Sequence, residues 1–234
     1  MTFTLIGCGI AFDLTLHGME RLKSCDEAYT EGYTNPTDRS VISSLEESSG
    51  KKITELKREQ VESMFLIENA KDKDIVLLVS GDPLTATTHC TLLMDARKKN
   101  IKTEVIHNSS IYSAAPARSG LQIYRFGKTA SLVNPRENYK PTSSLEIIRK
   151  NLQNDMHSLV LLDTEPEPMD AKTALQMLKE FQSAVVISKA GWPDEKITYG
   201  AIRELSEKEL GSAPFAIIIP AKLHVVENEF LESL

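Results

Sequence analysis

Four segments of the chain place glycine, acidic or hydroxyl residues directly after short apolar runs that read as strands. Open α/β sheets form their ligand crevices beyond the carboxyl ends of such strands. The first segment is Leu5-Ile6-Gly7-Cys8-Gly9-Ile10, where paired glycines allow a sharp turn and a close approach of main chain to a ligand. A dinucleotide fingerprint would need glycine where Phe12 stands, so a plain strand-to-helix turn explains these glycines equally well. The second runs Ile75-Val76-Leu77-Leu78-Val79-Ser80-Gly81-Asp82-Pro83-Leu84 and continues Thr85-Ala86-Thr87-Thr88-His89. Here Asp82 is expected either to cap a helix whose first turn holds Pro83 or to line a crevice for a polar or cationic ligand. The third is Val105-Ile106-His107-Asn108-Ser109-Ser110-Ile111, in which Ser110 suits a helix cap as well as a ligand contact. In the fourth, Leu159-Val160-Leu161-Leu162-Asp163-Thr164, the aspartate stands at a strand end and serves equally as a turn acid.

Other chemistries lack their usual support. His17, His89, His107, His157 and His224 are scattered, without the H-E-x-x-H spacing or any comparable ligand pattern, so no metal site is expected. Neither a G-x-S-x-G nucleophile turn nor a P-loop with its Lys-Ser/Thr pair is present. Cys8, Cys25 and Cys90 are odd in number and widely spaced, which points to a reducing, cytoplasmic setting. Met1-Thr2-Phe3-Thr4-Leu5-Ile6 has no basic n-region before its short apolar stretch, so no export signal is expected.

The elements that must hold these segments follow from the pattern of the whole chain. Its 234 residues suggest two modest domains, and 41% hydrophobic with 26% charged residues supply cores without a membrane-length apolar run. Twenty-seven basic against 33 acidic residues leave a net charge of -6, a field that repels nucleic-acid phosphate and anionic membranes. Strand-like and helix-like segments alternate throughout, the signature of α/β units on a mainly parallel sheet. In the first half, strands are expected at Phe3–Ile6, near Ala28–Tyr29, at Ile75–Val79 and at Glu104–Ile106. Helices are expected from about Leu14 to Lys23 and from Glu59 to Ala70, the latter with Val61, Met64, Phe65 and Ile67 as a core-facing stripe. The second half offers strands at Ser131–Val133, Leu159–Leu162, Val185–Ser188 and Ala216–Ile219, and helices near Ser144–Leu152 and Ala171–Phe181. Ser113 to Gly127, with Pro116, Gly120 and Gly127 and no sustained period, reads as the connection, giving domains 1–113 and 114–234.

Taken together and in order, these strings resemble the diphthine synthase family, a branch of the tetrapyrrole-methylase-like S-adenosylmethionine enzymes. The resemblance covers nearly the whole chain. It rests on Leu5-Ile6-Gly7-Cys8-Gly9, Ser80-Gly81-Asp82-Pro83-Leu84 with Ala86-Thr87-Thr88-His89, Ile106-His107, and Ser110-Ile111-Tyr112-Ser113-Ala114. It continues in Gly120-Leu121-Gln122-Ile123-Tyr124-Arg125-Phe126-Gly127-Lys128, Pro141-Thr142-Ser143 and Lys222-Leu223-His224-Val225-Val226-Glu227. The resemblance implies two α/β domains with a cofactor cleft between them and a homodimer. It implies S-adenosylmethionine as methyl donor, S-adenosylhomocysteine as product, and N-methylation of the modified histidine of translation elongation factor 2 to diphthine in diphthamide biosynthesis. Carried over by position, cofactor contacts fall on Ile10, Asp82, Thr85, Ser110, Ile111, Leu162, Ala190 and Phe215. The chain departs from the family where Ile10 replaces a common Leu, Thr85 a common Val and Phe215 a common His, and it stops soon after Leu231, short of the usual C-terminal extension.

Methyl transfer from a sulfonium is an in-line displacement by a lone pair, so positioning is the main demand. Alignment supplies on the order of 7–11 kcal/mol, whereas neutralising an amine one or two units above pH 7 costs roughly 1.4–2.8 kcal/mol. The expectation is therefore of binding residues first, with no side chain assigned as a base and solvent taking the released protons. His89, Tyr124, Lys128 and His224 are candidates for the protein-substrate side, and Arg118, Arg125 and Lys128 for local attraction of an acidic partner. The competing readings are a precorrin-type tetrapyrrole C-methyltransferase and a non-catalytic S-adenosylmethionine-binding regulator.

Overall fold

The computed structural model describes residues 1–33, 39–135, 142–165 and 167–234. Pro141 of the Pro-Thr-Ser string lies outside the described residues. The chain divides into two compact units, Met1–Ser110 and Ile111–Leu234.

The first unit alternates strands and helices: β1 (Thr2–Gly7), α1 (Leu16–Ser24), β2 (Glu27–Glu31), α2 (Arg39–Ser49), β3 (Ile53–Leu56), α3 (Arg58–Val61), α4 (Phe65–Asn69), β4 (Ile75–Val79), α5 (Cys90–Lys98) and β5 (Lys102–Ile106). The strands pair in the order β3-β2-β4-β1-β5, every pairing parallel. β4, Ile-Val-Leu-Leu-Val, is buried at every position, as a strand covered on both faces must be. The sheet packs on Phe3, Leu5, Leu66, Ile67, Leu77 and Leu92, among others. Thr15 caps α1 by accepting a hydrogen bond from the Gly18 N–H at 3.0 Å.

One continuous helix over Glu59–Ala70 is not what forms. Ser63 donates to the Gln60 carbonyl at 2.8 Å and accepts from the Phe65 N–H at 3.2 Å, so its hydroxyl competes with the helical ladder and splits the segment into α3 and α4. Val61 and Ile67 still reach the core, whereas Met64 and Phe65 remain exposed. The sequence pattern also passes over β3, α2 and α5.

In the second unit the order is α6 (Ile111–Ser119), a 3-10 turn (Ile123–Arg125), β6 (Ala130–Leu132), α7 (Ser143–Gln153), β7 (Ser158–Leu162), α8 (Ala171–Met177), β8 (Ser183–Ser188), β9 (Lys196–Ala201), α9 (Ile202–Leu205), β10 (Phe215–Ile219) and α10 (Val225–Glu232). The segment expected to lack periodicity thus holds α6 and the 3-10 turn, with Pro116 accommodated inside the helix. The strand order is β6-β7-β10-β8-β9. The expected mainly parallel arrangement fails here: β6 and β7 are parallel, but β10 runs antiparallel to β7 and β8, and β8 to β9. For β8 and β9 the reason is local. The link between β8 and β9 is too short for a crossover, which takes a dozen residues or more, so the chain turns back as a hairpin.

A buried polar network ties the second unit's N-terminal strings to its last helix. Glu227, fully buried, accepts from the Gln122 N–H at 3.1 Å, the His224 N–H at 2.8 Å and His157 Nε2 at 3.2 Å, and pairs with Arg125. Arg125 also donates to the Lys222 carbonyl at 2.7 Å. His157 Nδ1 accepts the Ala221 N–H at 2.9 Å, which fixes the neutral tautomer with its proton on Nε2. Burial holds the His157 imidazole below the ordinary histidine range, against the opposing pull of Glu227. Because the folded state resists protonation that the unfolded chain accepts, His157 favours folding above about pH 6.5 and that contribution shrinks as the pH falls toward its lowered folded value. His157→Gln is therefore expected to flatten the loss of stability between about pH 6.5 and 5. Denaturation midpoints measured across that window check this, and a variant with the wild-type slope would refute it.

Candidate functional site

The carboxyl ends of β4, β1 and β5 are neighbours in the first sheet, and their loops are joined by hydrogen bonds. The Gly9 N–H donates to the Gly81 carbonyl and the Gly81 N–H to the Gly9 carbonyl, each at 3.0 Å. Both glycines take positive φ, 68° at Gly9 and 70° at Gly81, which only glycine adopts without strain. Asn108 Nδ2 donates to the Gly7 carbonyl at 2.9 Å and to the Asp13 carbonyl at 2.8 Å, and Ser109 Oγ accepts the Ile10 N–H at 3.3 Å. Three loops distant in sequence thereby form one rim.

Close packing beneath that rim is sharp at Gly7. A Cβ there would lie 2.7 Å from the Gly81 carbonyl oxygen, 2.8 Å from Pro83 Cδ and 3.0 Å from Asn108 Cβ. Gly7→Ala is expected to push the loops apart at a cost of roughly 1–3 kcal/mol. Denaturation measures that loss, and unaltered stability would show that the loops yield freely. Above the rim there is room: a Cβ on Gly81 would meet only the Ser109 carbonyl oxygen, at 3.9 Å.

Asp82 does not cap a helix. Its Oδ1 accepts from the Leu84 N–H at 3.0 Å and Thr85 Oγ1 at 3.1 Å, while Oδ2 faces His107 Nδ1 at 2.7 Å and the Asn108 N–H at 3.4 Å. The following residues form turns, Ala86 at φ 57°, and α5 begins only at Cys90. Burial of Asp82 opposes its charge, but the hydrogen bonds from Leu84, His107 and Thr85 outweigh it and hold the carboxyl below the usual range. The result is a half-buried carboxylate that stays ionised at neutral pH. Such an acceptor suits a ligand carrying positive charge and polar groups, such as a sulfonium-bearing amino acid.

Of the eight positions carried over by resemblance, Ile10, Asp82, Thr85 and Ser110 fall on these three loops. Ile111 opens α6. In the second unit, Leu162 ends β7, Phe215 starts β10, and Ala190 follows β8. Because β10 is antiparallel to both neighbours, with Ala216 opposite Leu161 and Phe215 opposite Ser188, these three positions share one end of the sheet. The Ala190 turn is shaped by Lys189 at φ 48° and by Glu195, which accepts the Gly191 N–H at 2.7 Å and pairs with Arg118.

The substrate-side candidates divide. His89 is buried, with Nδ1 3.3 Å from the Pro83 carbonyl, and burial lowers its readiness to protonate, so it supports the loop from below. Tyr124, Lys128 and His224 are exposed. Arg118 and Arg125 are committed to Glu195 and Glu227. Asp163 is a turn acid, accepting the Asn134 N–H at 3.0 Å and the Glu165 N–H at 3.3 Å. Sequence reasoning gave Asn108 and Ser109 no role of their own; their position in a polar turn after a strand was the available signal. Among the described residues no cluster of His, Cys, Asp and Glu could hold a metal ion, and no helix is long and apolar enough to cross a membrane.

With this geometry established, comparison with known proteins defines the class first. A model of the Tetrapyrrole (Corrin/Porphyrin) Methylases matches residues 2–206, which places the chain among the methylases. The diphthine synthase of Methanocaldococcus jannaschii is 40% identical over 241 residues, covering 95% of this chain and 93% of that one. That of Methanothermobacter thermautotrophicus is 37% identical over 245 residues, covering 97% and 93%. A crystal structure of diphthine synthase matches with a TM-score of 0.91 at 34% identity, covering 100% of this chain and 95% of the other. A putative diphthine synthase from Entamoeba histolytica gives 0.89 at 34% identity, covering 99% and 97%. The chain belongs to the diphthine synthase family, within the tetrapyrrole methylases.

Proposed function

We propose that the protein transfers methyl groups from S-adenosylmethionine to the amine of the modified histidine on translation elongation factor 2, forming diphthine in diphthamide biosynthesis and releasing S-adenosylhomocysteine. The observation that carries this reading is the 40% identity sustained over 95% of the chain with a protein named diphthine synthase. When bound, S-adenosylmethionine supplies an electrophilic methyl group on a positively charged sulfur. Ile10, Asp82, Thr85, Ser110, Ile111, Leu162, Ala190 and Phe215 are its proposed contacts. Several of these positions are main-chain contacts in the family, so side-chain identity there need not matter, but Phe215 removes any imidazole role at its position. The protein's main work is to bind and align, because alignment outweighs the cost of neutralising the amine. It acts in the cytoplasm, where the elongation factor is, as a homodimer.

The test uses methyl-labelled S-adenosylmethionine with two acceptors: elongation factor 2 bearing the aminocarboxypropyl-histidine intermediate, and a panel of tetrapyrroles. Label is expected on the elongation factor. Label on a tetrapyrrole, or binding of the donor with no transfer to either acceptor, overturns the assignment.

A further inference from the structure

We propose that His107, oriented by Asp82, takes the proton from the substrate amine that is to be methylated. This rests on the methyl-transfer reading above and adds to it a group that acts directly on the acceptor.

The geometry begins at the end of β5. His107 stands on the same rim as Gly9, Gly81 and Asp82, with its side chain 66% exposed, whereas that of Asp82 is only 11% exposed. Asp82 is held ionised by the bonds described above and can only accept, so at 2.7 Å the His107 Nδ1 must carry the hydrogen. In the neutral imidazole this leaves the Nε2 lone pair unprotonated and available. A carboxylate that fixes one ring nitrogen as donor and steadies the imidazolium formed at the other is the standard arrangement for a histidine that accepts a proton.

The rim imposes this orientation tightly. Asp82 is anchored by Leu84 and Thr85 on its own loop, and Asn108, next to His107, is anchored to Gly7 and Asp13 on the loop after β1. Among the described residues, the charged group bonded to the imidazole is Asp82. Of the neighbouring acids, Asp13 contributes its carbonyl to Asn108, and Glu104 on β5 is engaged by Arg21 and His17. An imidazole so placed is not needed to hold the sheet, since its exposed ring packs little of the core.

In the step itself, Nε2 takes a proton from the substrate ammonium, freeing the nitrogen lone pair. That pair forms the new N–C bond to the methyl carbon as the C–S bond breaks. The electrons of the broken bond stay on sulfur, which becomes a neutral thioether, and the imidazolium returns its proton to solvent.

His107→Asn tests the assignment, because the amide can still donate to Asp82 but supplies no base. Single-turnover methylation of the elongation factor at pH 7 is expected to slow by roughly 100-fold, the lower end of what a positioned proton acceptor contributes. The deficit should close as the pH rises through the amine's own pKa, and added imidazole should restore activity to His107→Ala. Calorimetric affinity for S-adenosylmethionine should hold in His107→Asn. In the free wild-type protein, nitrogen NMR should find His107 protonated on Nδ1 when neutral. Wild-type rates across the pH range in His107→Asn, or an Nε2–H tautomer, overturn the role of His107 alone. Failure of the wild-type protein to methylate the elongation factor removes the parent reading, and this one with it.

Discussion

Replacing Asp82 with alanine is expected to lower affinity for S-adenosylmethionine by roughly 10- to 100-fold. The carboxylate accepts four hydrogen bonds from two loops, and one such bond to a charged group is worth about 1.5–3 kcal/mol. Losing one charge-assisted contact to the ligand is by itself enough for a change of that size, and the four internal bonds fix where the carboxylate makes it. The substitution also leaves the Leu84 and Asn108 N–H groups without their acceptor, so the rim loosens as the charge disappears. Isothermal calorimetry on Asp82→Ala and Asp82→Asn separates the two effects: the asparagine variant keeps an acceptor but removes the charge. The linkage with pH has a definite sign. A carboxyl held below its usual value contributes above the unfolded pKa of about 3.9 and loses that contribution as the pH falls through the folded value. The Asp82 contribution is thus expected to be flat from neutral pH to about pH 5. Undiminished affinity in Asp82→Ala would reduce the residue to a brace for its own loop.

The largest expected effect on stability comes from Glu227. Removing one partner of a buried ion pair strands the other, typically at about 3–5 kcal/mol. Glu227→Ala would leave not only Arg125 but also the Gln122 and His224 N–H groups and His157 Nε2 without their acceptor. The second unit is therefore expected to lose about that much on Glu227→Ala. Trp192, the single tryptophan of the chain, lies in that unit, so its fluorescence during urea unfolding reports on the affected half. Burial opposes the charge of Glu227, yet the hydrogen bonds from His224, Gln122 and His157 pull its carboxyl below the usual range. Its contribution is accordingly complete at neutral pH and fades only on acidification. Replacing Glu227 and Arg125 together with Met should cost less than Glu227→Ala, because no charge is then left buried alone. An unchanged unfolding midpoint in Glu227→Ala would show that the network is incidental to folding.

This network also clarifies what the Ile-Tyr-Arg-Phe-Gly-Lys and Lys-Leu-His-Val-Val-Glu strings do. They resemble the family closely, yet their central residues, Arg125 and Glu227, spend their charges on each other. Tyr124 and His224 are left at the surface. In this half of the chain, the central residues of the most recognisable strings hold the unit together.

Local sequence determined most of the strands. β4 and β10 are short apolar runs rich in Ile, Leu and Val whose burial is nearly complete, and such runs announce themselves because a doubly covered strand has no polar face. It also singled out the three loops that form the rim, but glycine, aspartate and serine after a strand serve turns and helix caps equally well, so local sequence left their role open. Tertiary structure decided the rest. The direction of β10 follows from where its neighbours lie, which no periodicity records. The break at Ser63 depends on a hydroxyl choosing main chain over solvent. Above all, the pairing of Asp82 with His107 joins residues far apart in the chain and exists only because β1 lies between β4 and β5. Residue types follow from local environment, whereas the distance between two side chains follows from strand order, and strand order is a property of the whole sheet.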